Sequence, residues 1–198
     1  MSTFTKFFLA STLALLAGVS GFAQTLSVPV TDQSAKIAEL ADKKAAAVAE
    51  LTAKFDLFAG LNKASEQLDD QKGLIDESSK LIAVNLAIPA DKRDSAAVAF
   101  NMTRYKKAAA TVGEIQKKVS PAEIEGFKSL TKGSLLLGKL SAESYDYATS
   151  FSHNLQLALL YEPTQEQEQV YRRGQLFLAG LPDPTEKTSF HLLGRKKN

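Results

Sequence analysis

Hydrophobic side chains recur every three or four residues along most of this 198-residue chain. Such spacing places them on one face of an α-helix and is typical of coiled-coil packing. Lys44 is the one charged member of the first stripe, and its long stem can lie along the seam. No segment alternates apolar and polar residues as a half-buried strand does. The first stripe consists of Ile37, Ala41, Lys44, Val48, Leu51, Phe55 and Phe58.

Later stripes predict further helices, and together they indicate an all-α fold. We predict an elongated helical bundle or helical hairpin array of five or six helices, with coiled-coil-like segments. The stripes comprise Leu61, Ala64, Leu68, Ile75 and Ile82; Val98, Met102, Tyr105, Ala109, Val112 and Val119; Ile124, Phe127, Leu130 and Leu135–Leu137; and Tyr145, Ala148, Phe151, Leu155 and Leu159.

Local signals mark where these helices begin and end. Pro89 ends the second helix, and Asp94 or Ser95 begins the third. Residues 120–123 (Ser-Pro-Ala-Glu) form a capping box, and residues 164–167 (Thr-Gln-Glu-Gln) form a weaker one. These signals predict helices that start near residues 121 and 165.

At three glycines the sequence does not determine whether the helix continues, bends or ends. Gly60 marks either a bend or a turn between helices. Gly133 and Gly138 indicate either the close approach of another helix or a break near residues 139–141, because glycine inside a helix costs about 1 kcal/mol.

The N-terminus has the three parts of a signal peptide. Lys6 is followed by an apolar run through Gly18, and Gly21-Phe-Ala23 places small residues where a signal peptidase reads them. The run is shorter than the ~20 residues of a spanning helix. We predict cleavage after residue 23, export to the periplasm or the medium, and no transmembrane segment afterwards. An extended lead-in (24–31), a helical domain (32–181) and a mobile basic tail (182–198) follow.

Charge and cysteine content exclude several functions. The net charge is +2, and removal of Lys6 with the signal peptide leaves +1. Such a balance argues against nucleic acid as a partner. The chain has no cysteine, which excludes disulfides, thiolate metal sites and iron–sulfur clusters.

We find no catalytic, metal-binding or cofactor-binding motif in the sequence. His153 and His191 lack an acid or histidine at metal-ligand spacing. Met102 and His153 could in principle be axial ligands of a haem, but Met102 is better explained as a core residue. Tyr145, Tyr147 and Tyr161 cluster in one region and are candidate interface residues, with core packing an equal alternative.

Two segments carry a resemblance to a known family. The capped helix from Ser120 continues through Leu130-Thr-Lys-Gly-Ser-Leu-Leu-Leu, and residues 164–173 read Thr-Gln-Glu-Gln-Glu-Gln-Val-Tyr-Arg-Arg. This layout resembles the periplasmic, minor-pilus-type helical components of bacterial conjugation and type IV secretion systems, particularly on Bacteroidetes conjugative elements. The resemblance implies an adaptor or pilus-tip role without catalysis.

The sequence thus favours an exported, non-catalytic interaction or structural protein that binds a partner in the cell envelope or associates with itself. Two alternatives remain open. One is a periplasmic holdase chaperone, which would wrap similar helices around unfolded clients. The other is a cofactor-binding bundle.

Overall fold

The computed structural model describes residues 30–185, with side chains from residue 33 onward. These residues are 84% helical and include six α-helices and no strand. The predicted all-α class and helix number are therefore confirmed. The predicted signal peptide, His191 and most of the predicted tail lie outside the described residues.

The six helices follow one another with short connections. The helix bounds are α1 Val30–Lys54, α2 Asp56–Ala87, α3 Ser95–Lys118, α4 Pro121–Leu136, α5 Ala142–Ala158 and α6 Gln165–Leu178, with a 3₁₀ turn at Ala90–Lys92. Helix α1 begins at Val30, inside the segment expected to be extended, because β-branched residues disfavour a helix only weakly.

Contacts divide the chain into two units at residue 41. Of the described residues, the first unit holds only the beginning of α1, and its side chains from Gln33 to Ala41 are exposed. The second unit begins at Asp42 and contains the rest of α1 and helices α2–α6.

The predicted helix caps are present. At α4 the Glu123 amide donates to Ser120 Oγ at 3.2 Å, and the Ser120 amide donates to Glu123 Oε2 at 2.8 Å. Thr164 forms the corresponding box at α6, and Asp94 accepts from the Ala97 amide at 3.0 Å at α3. Each cap contributes about 0.5–2 kcal/mol.

The break after the first helix lies at Phe55 rather than at Gly60. Phe55 is extended, with φ −134° and ψ 104°, which any residue can adopt. Its ring lies edge-on to Phe127 at 6.1 Å between centroids, so packing holds the break in place. Gly60 lies inside α2.

The long fourth helix does break before residue 139, as one alternative expected. Helix α4 ends at Leu136, and Gly138 has φ +64°, a conformation that favours glycine. A Cβ added at Gly133 would meet nothing within 4 Å, so close approach of another helix does not explain that glycine.

Two clusters of buried side chains form the interior of the second unit. The large core joins α1–α5, and the small core lies between the end of α2, the start of α3 and α6. The large core consists of Leu51, Phe58, Leu61, Leu68, Ile75, Tyr105, Ala108, Val112, Ile115, Ile124, Phe127, Leu140, Ala148, Phe151 and Leu155. The small core consists of Ile82, Leu86, Val98 and Met102, covered by Val170, Tyr171 and Phe177.

The buried stripe predicted for α4 is wrong beyond Phe127, because the leucines expected to be buried there are exposed. Leu130 is 50% exposed, and Leu136 and Leu137 are more than two-thirds exposed. Thr131 is buried instead, because it lies seven residues after Ile124 and so shares its face, while Leu130 points about 100° away. The Thr131 hydroxyl donates to the Lys128 carbonyl at 2.9 Å.

Candidate interaction surface

Two of the candidate tyrosines lie on α5 but face different neighbours. Tyr145 and Tyr147 are two positions apart, so their side chains diverge by about 200° around the helix. Tyr147 meets Phe58 of α2 edge-on at 6.5 Å, and burial raises the pKa of its hydroxyl. Tyr145 lines a cleft of about 240 Å³ beside Lys128 and Lys132 of α4.

Tyr161 lies in a third place, between α5 and α6. The Lys72 ammonium lies 5.3 Å from its ring centroid, and its carbonyl accepts from Gln116 Nε2 at 2.8 Å. Burial, with a smaller effect from Asp76, raises the pKa of its hydroxyl to about 12. The three tyrosines are each partly buried against the large core and do not share one face.

The two residues considered as haem ligands have different surroundings. Met102 is buried in the small core, where its sulfur would lie 2.8 Å from a Cβ placed on Gly174. His153 is exposed on α5. Met102 is therefore a core residue, the explanation that the sequence analysis favoured over a haem ligand.

Two adjacent acids of α2, Asp76 and Glu77, contact other helices. Asp76 accepts a hydrogen bond from Gln167 of α6, and Glu77 pairs with Arg104 of α3 at 2.8 Å. Among residues 30–185 no group of three or more acids and histidines could hold a metal ion. In the same range no helix is both long and apolar enough to span a bilayer.

A row of exposed apolar side chains lies on the outer face of the α2–α3 pair. Leu81 and Val84 are 43% and 67% exposed on α2, Phe100 is 63% exposed on α3, and Ile88, just after α2, is 38% exposed. We call these four residues the outer stripe. The large core and the small core use other faces of the same helices.

The Glu77–Arg104 ion pair relates the α2 part of the outer stripe to its α3 part. Leu81 lies four residues after Glu77, and Phe100 lies four residues before Arg104. Helices α2 and α3 run antiparallel. A turn toward the C-terminus of α2 from Glu77 therefore leads in the same direction as a turn toward the N-terminus of α3 from Arg104. The guanidinium of Arg104 also lies 5.7 Å from the Phe100 ring centroid. We therefore expect Leu81 and Phe100 to lie on the same side of the α2–α3 pair.

The border of the outer stripe carries more positive than negative charge. Lys80 is adjacent to Leu81, and Lys107 lies seven residues after Phe100 on the same face of α3. Both side chains are exposed. With Arg104 they supply three cations, against the carboxylates of Glu77 and of Asp91, which lies three residues after Ile88. An apolar surface with such a border fits an apolar segment that has acidic residues at its edges.

The sequence patterns did not predict the outer stripe. Leu81 falls between Ile75 and Ile82 of the predicted α2 stripe, and Val84 follows Ile82, its last member. A second apolar row on one helix is the signal that would have identified them, because a helix in a bundle needs only one buried face.

Comparison of the chain with protein-family models, with characterised proteins and with solved structures found no match.

Proposed function

We propose that this protein is an exported, non-catalytic helical protein that binds another protein of the cell envelope through the outer stripe. The partner presents an apolar helix with acidic residues along its edges. A component of a conjugation or secretion apparatus is the most specific form of this function, and it rests on the resemblance of residues 120–173 alone.

The outer stripe is the observation that carries the proposal. Four apolar side chains of the α2–α3 pair are each more than a third exposed. An apolar patch formed by such side chains is typical of an interaction site. An exposed aromatic side chain such as Phe100 is typical of the centre of an interface. The cationic border gives the partner its orientation and accelerates its approach.

Site-specific photocrosslinking tests the proposal in the cells that produce the protein. A photoreactive amino acid replaces Val84 in one variant and Leu157 in a matched control, because Leu157 is 56% exposed on α5. We expect one discrete adduct from position 84 and none of the same mass from position 157. Peptide mapping should place the crosslink on an apolar helix bordered by acids.

Charge reversal then tests the cationic border. Changing Lys80 and Lys107 together to glutamate should lower the adduct yield about tenfold, which corresponds to 1.4 kcal/mol of binding free energy. Reversal of two exposed lysines elsewhere, Lys63 and Lys118, should leave it unchanged.

Three outcomes contradict this function. A ladder of many adducts from position 84 indicates a holdase that binds unfolded clients. An adduct of the chain with itself indicates self-association through this face. Equal adducts from positions 84 and 157 show that the outer stripe has no special role.

Export is tested separately by fractionation and intact-mass measurement. The exported protein should lack residues 1–23 and begin at Gln24. Full-length protein confined to the cytoplasm would contradict the export part of the proposal and leave the binding surface to be judged by crosslinking.

A further inference from the structure

Helix α6 covers the small core with few buried side chains of its own. Gly174 is its only buried residue, and Val170, Tyr171 and Phe177 are partly buried. The sequence of α6 is otherwise strongly polar. The apolar side chains in this contact are four from the groove between α2 and α3 and three from α6.

The fit of α6 to the groove depends on a single small residue. A Cβ added to Gly174 would lie 2.8 Å from Met102 Sδ and 3.3 Å from Ile82 Cγ2. No other glycine in the described residues meets any atom within 4 Å in the same test. The groove is thus shaped for a helix with glycine at the crossing point.

Polar contacts add little to this docking. Gln167 donates to Asp76, and Tyr171 stacks on Tyr105 at 4.9 Å between centroids. Five buried side-chain oxygens have no hydrogen-bond partner within the described part of the chain, and each such atom costs about 1–3 kcal/mol. They belong to Ser78, Asn85, Asn101, Tyr105 and Tyr161.

The connection to α6 is short and stiff. Tyr161 is tied to α3 through Gln116, and α6 begins at Gln165, so only residues 162–164 form the hinge. Pro163 lies in its centre. The Arg173–Asp183 ion pair, at 2.5 Å, ties the segment after α6 to α6 itself. Short hinges of this kind favour exchange of the attached element between copies.

We infer that α6 is an exchangeable helix, and that the α2–α3 groove of one copy receives α6 of a second copy in a reciprocal, domain-swapped dimer. The groove already accepts this helix within one chain, so the exchanged contacts are the same and only the hinge differs. This inference does not rest on the outer stripe, which lies on another face of α2.

Mixed single-cysteine variants test the exchange, because the natural chain contains no cysteine. Asp76→Cys and Gln167→Cys proteins are unfolded together, refolded and treated with a short bismaleimide. An adduct of twice the chain mass forms only where α6 of one copy lies on α2 of the other. While the dimer is the minor species, its fraction should rise about tenfold for a tenfold increase in concentration.

A second pair of variants provides the matched control. Glu77→Cys and Arg104→Cys lie at an α2–α3 contact that exchange leaves within one chain. Their mixture should give no adduct of double mass. A doubly substituted Asp76→Cys/Gln167→Cys protein, crosslinked when dilute, should give an internal link, which shows that the substitutions permit folding.

The hinge supplies an independent readout. Inserting Gly-Ser-Gly after Pro163 should lower the dimer fraction several-fold, because a longer hinge lets α6 fold back onto its own chain more easily than a three-residue hinge does. The inference is overturned if the 76/167 mixture gives no adduct at any concentration while the double variant links internally. It is also overturned if the 77/104 mixture gives as much adduct, or if the insertion leaves the dimer fraction unchanged.

Discussion

The large core and the small core of the second unit are built differently. In the large core Phe58, Phe127 and Phe151 contact one another, with centroid distances of 5.2–6.1 Å. The small core has four buried aliphatic or methionine side chains and a polar helix as its cover. Aromatic groups bury the most area per residue and gain from edge-on and stacked geometry. We therefore expect the large core to hold the fold and the small core to be its weaker part.

Buried polar groups differ between helices α4–α5 and helices α2–α3. Thr131, Ser144 and Ser152, on α4 and α5, all have hydrogen-bond partners. The buried oxygens without partners belong instead to α2, α3 and Tyr161 within the described residues. Because an unpaired buried oxygen costs free energy, α2 and α3 carry a cost that the buried polar groups of α4 and α5 do not.

The largest expected effect is the loss of a ring from the large core. Phe127→Ala should lower the free energy of unfolding by about 3–5 kcal/mol, because it removes contacts with three aromatic rings. Leu86→Ala in the small core should cost about 2 kcal/mol, since a polar helix can settle into the space. Urea unfolding followed by circular dichroism measures both. An equal or larger loss for Leu86→Ala would contradict the ranking of the cores.

Glu50 should make the α1–α5 contact of the large core sensitive to acid. Hydrogen bonds from Lys54, Ser141 and Ser144 lower the pKa of its carboxyl from 4.5 to about 2. A lowered pKa in the folded state stabilises the protein above the unfolded pKa, and the contribution is lost as pH falls from about 4.5 to 2. Because the side chain is partly exposed, solvent screening reduces this contribution, and we expect about 1 kcal/mol.

Comparison with Glu50→Gln isolates this contribution from that of other acids. The variant should be less stable than the natural protein at pH 7, and the difference should vanish near pH 2. A difference that is the same at both pH values would show that the Glu50 charge does not stabilise the contact.

Gly174 tests the fit of α6 in the small core. Gly174→Ala should cost about 1 kcal/mol net, because crowding against Met102 outweighs the gain in helix propensity. Gly133→Ala, where the new methyl meets nothing, should instead stabilise by about 0.5–1 kcal/mol. In a Met102→Ala background the cost at Gly174 should disappear. Persistence of that cost would show that Met102 is not its cause.

The smallest expected effect is a gain in stability when a buried hydroxyl is removed. Tyr105→Phe removes a buried hydroxyl that has no partner within the chain and should raise the free energy of unfolding by up to about 1 kcal/mol. Tyr147→Phe, at a position where the side chain reaches solvent, should change it by less than about 0.5 kcal/mol. Differential scanning calorimetry measures both. A loss of stability in Tyr105→Phe would show that the hydroxyl is satisfied in solution.

Local patterns predicted much of this fold correctly. The α2 and α3 stripes and the caps at Asp94, Ser120 and Thr164 were all identified, because a helix face and a helix start depend on residues three or four apart. The break at Phe55 was missed because no turn-forming residue marks it, and it is held by a ring from α4.

The tertiary structure alone decided which apolar residues stay exposed. Ile82 and Leu81 are adjacent and chemically alike, yet one is fully buried and the other is 43% exposed. The packing of the helices also places the three tyrosines at separate sites and leaves the outer stripe uncovered. The sequence by itself determined where helices form and which faces are apolar, since both depend on local spacing. Which faces meet depends on how the six helices pack together. That packing is decided by contacts between residues far apart in the sequence.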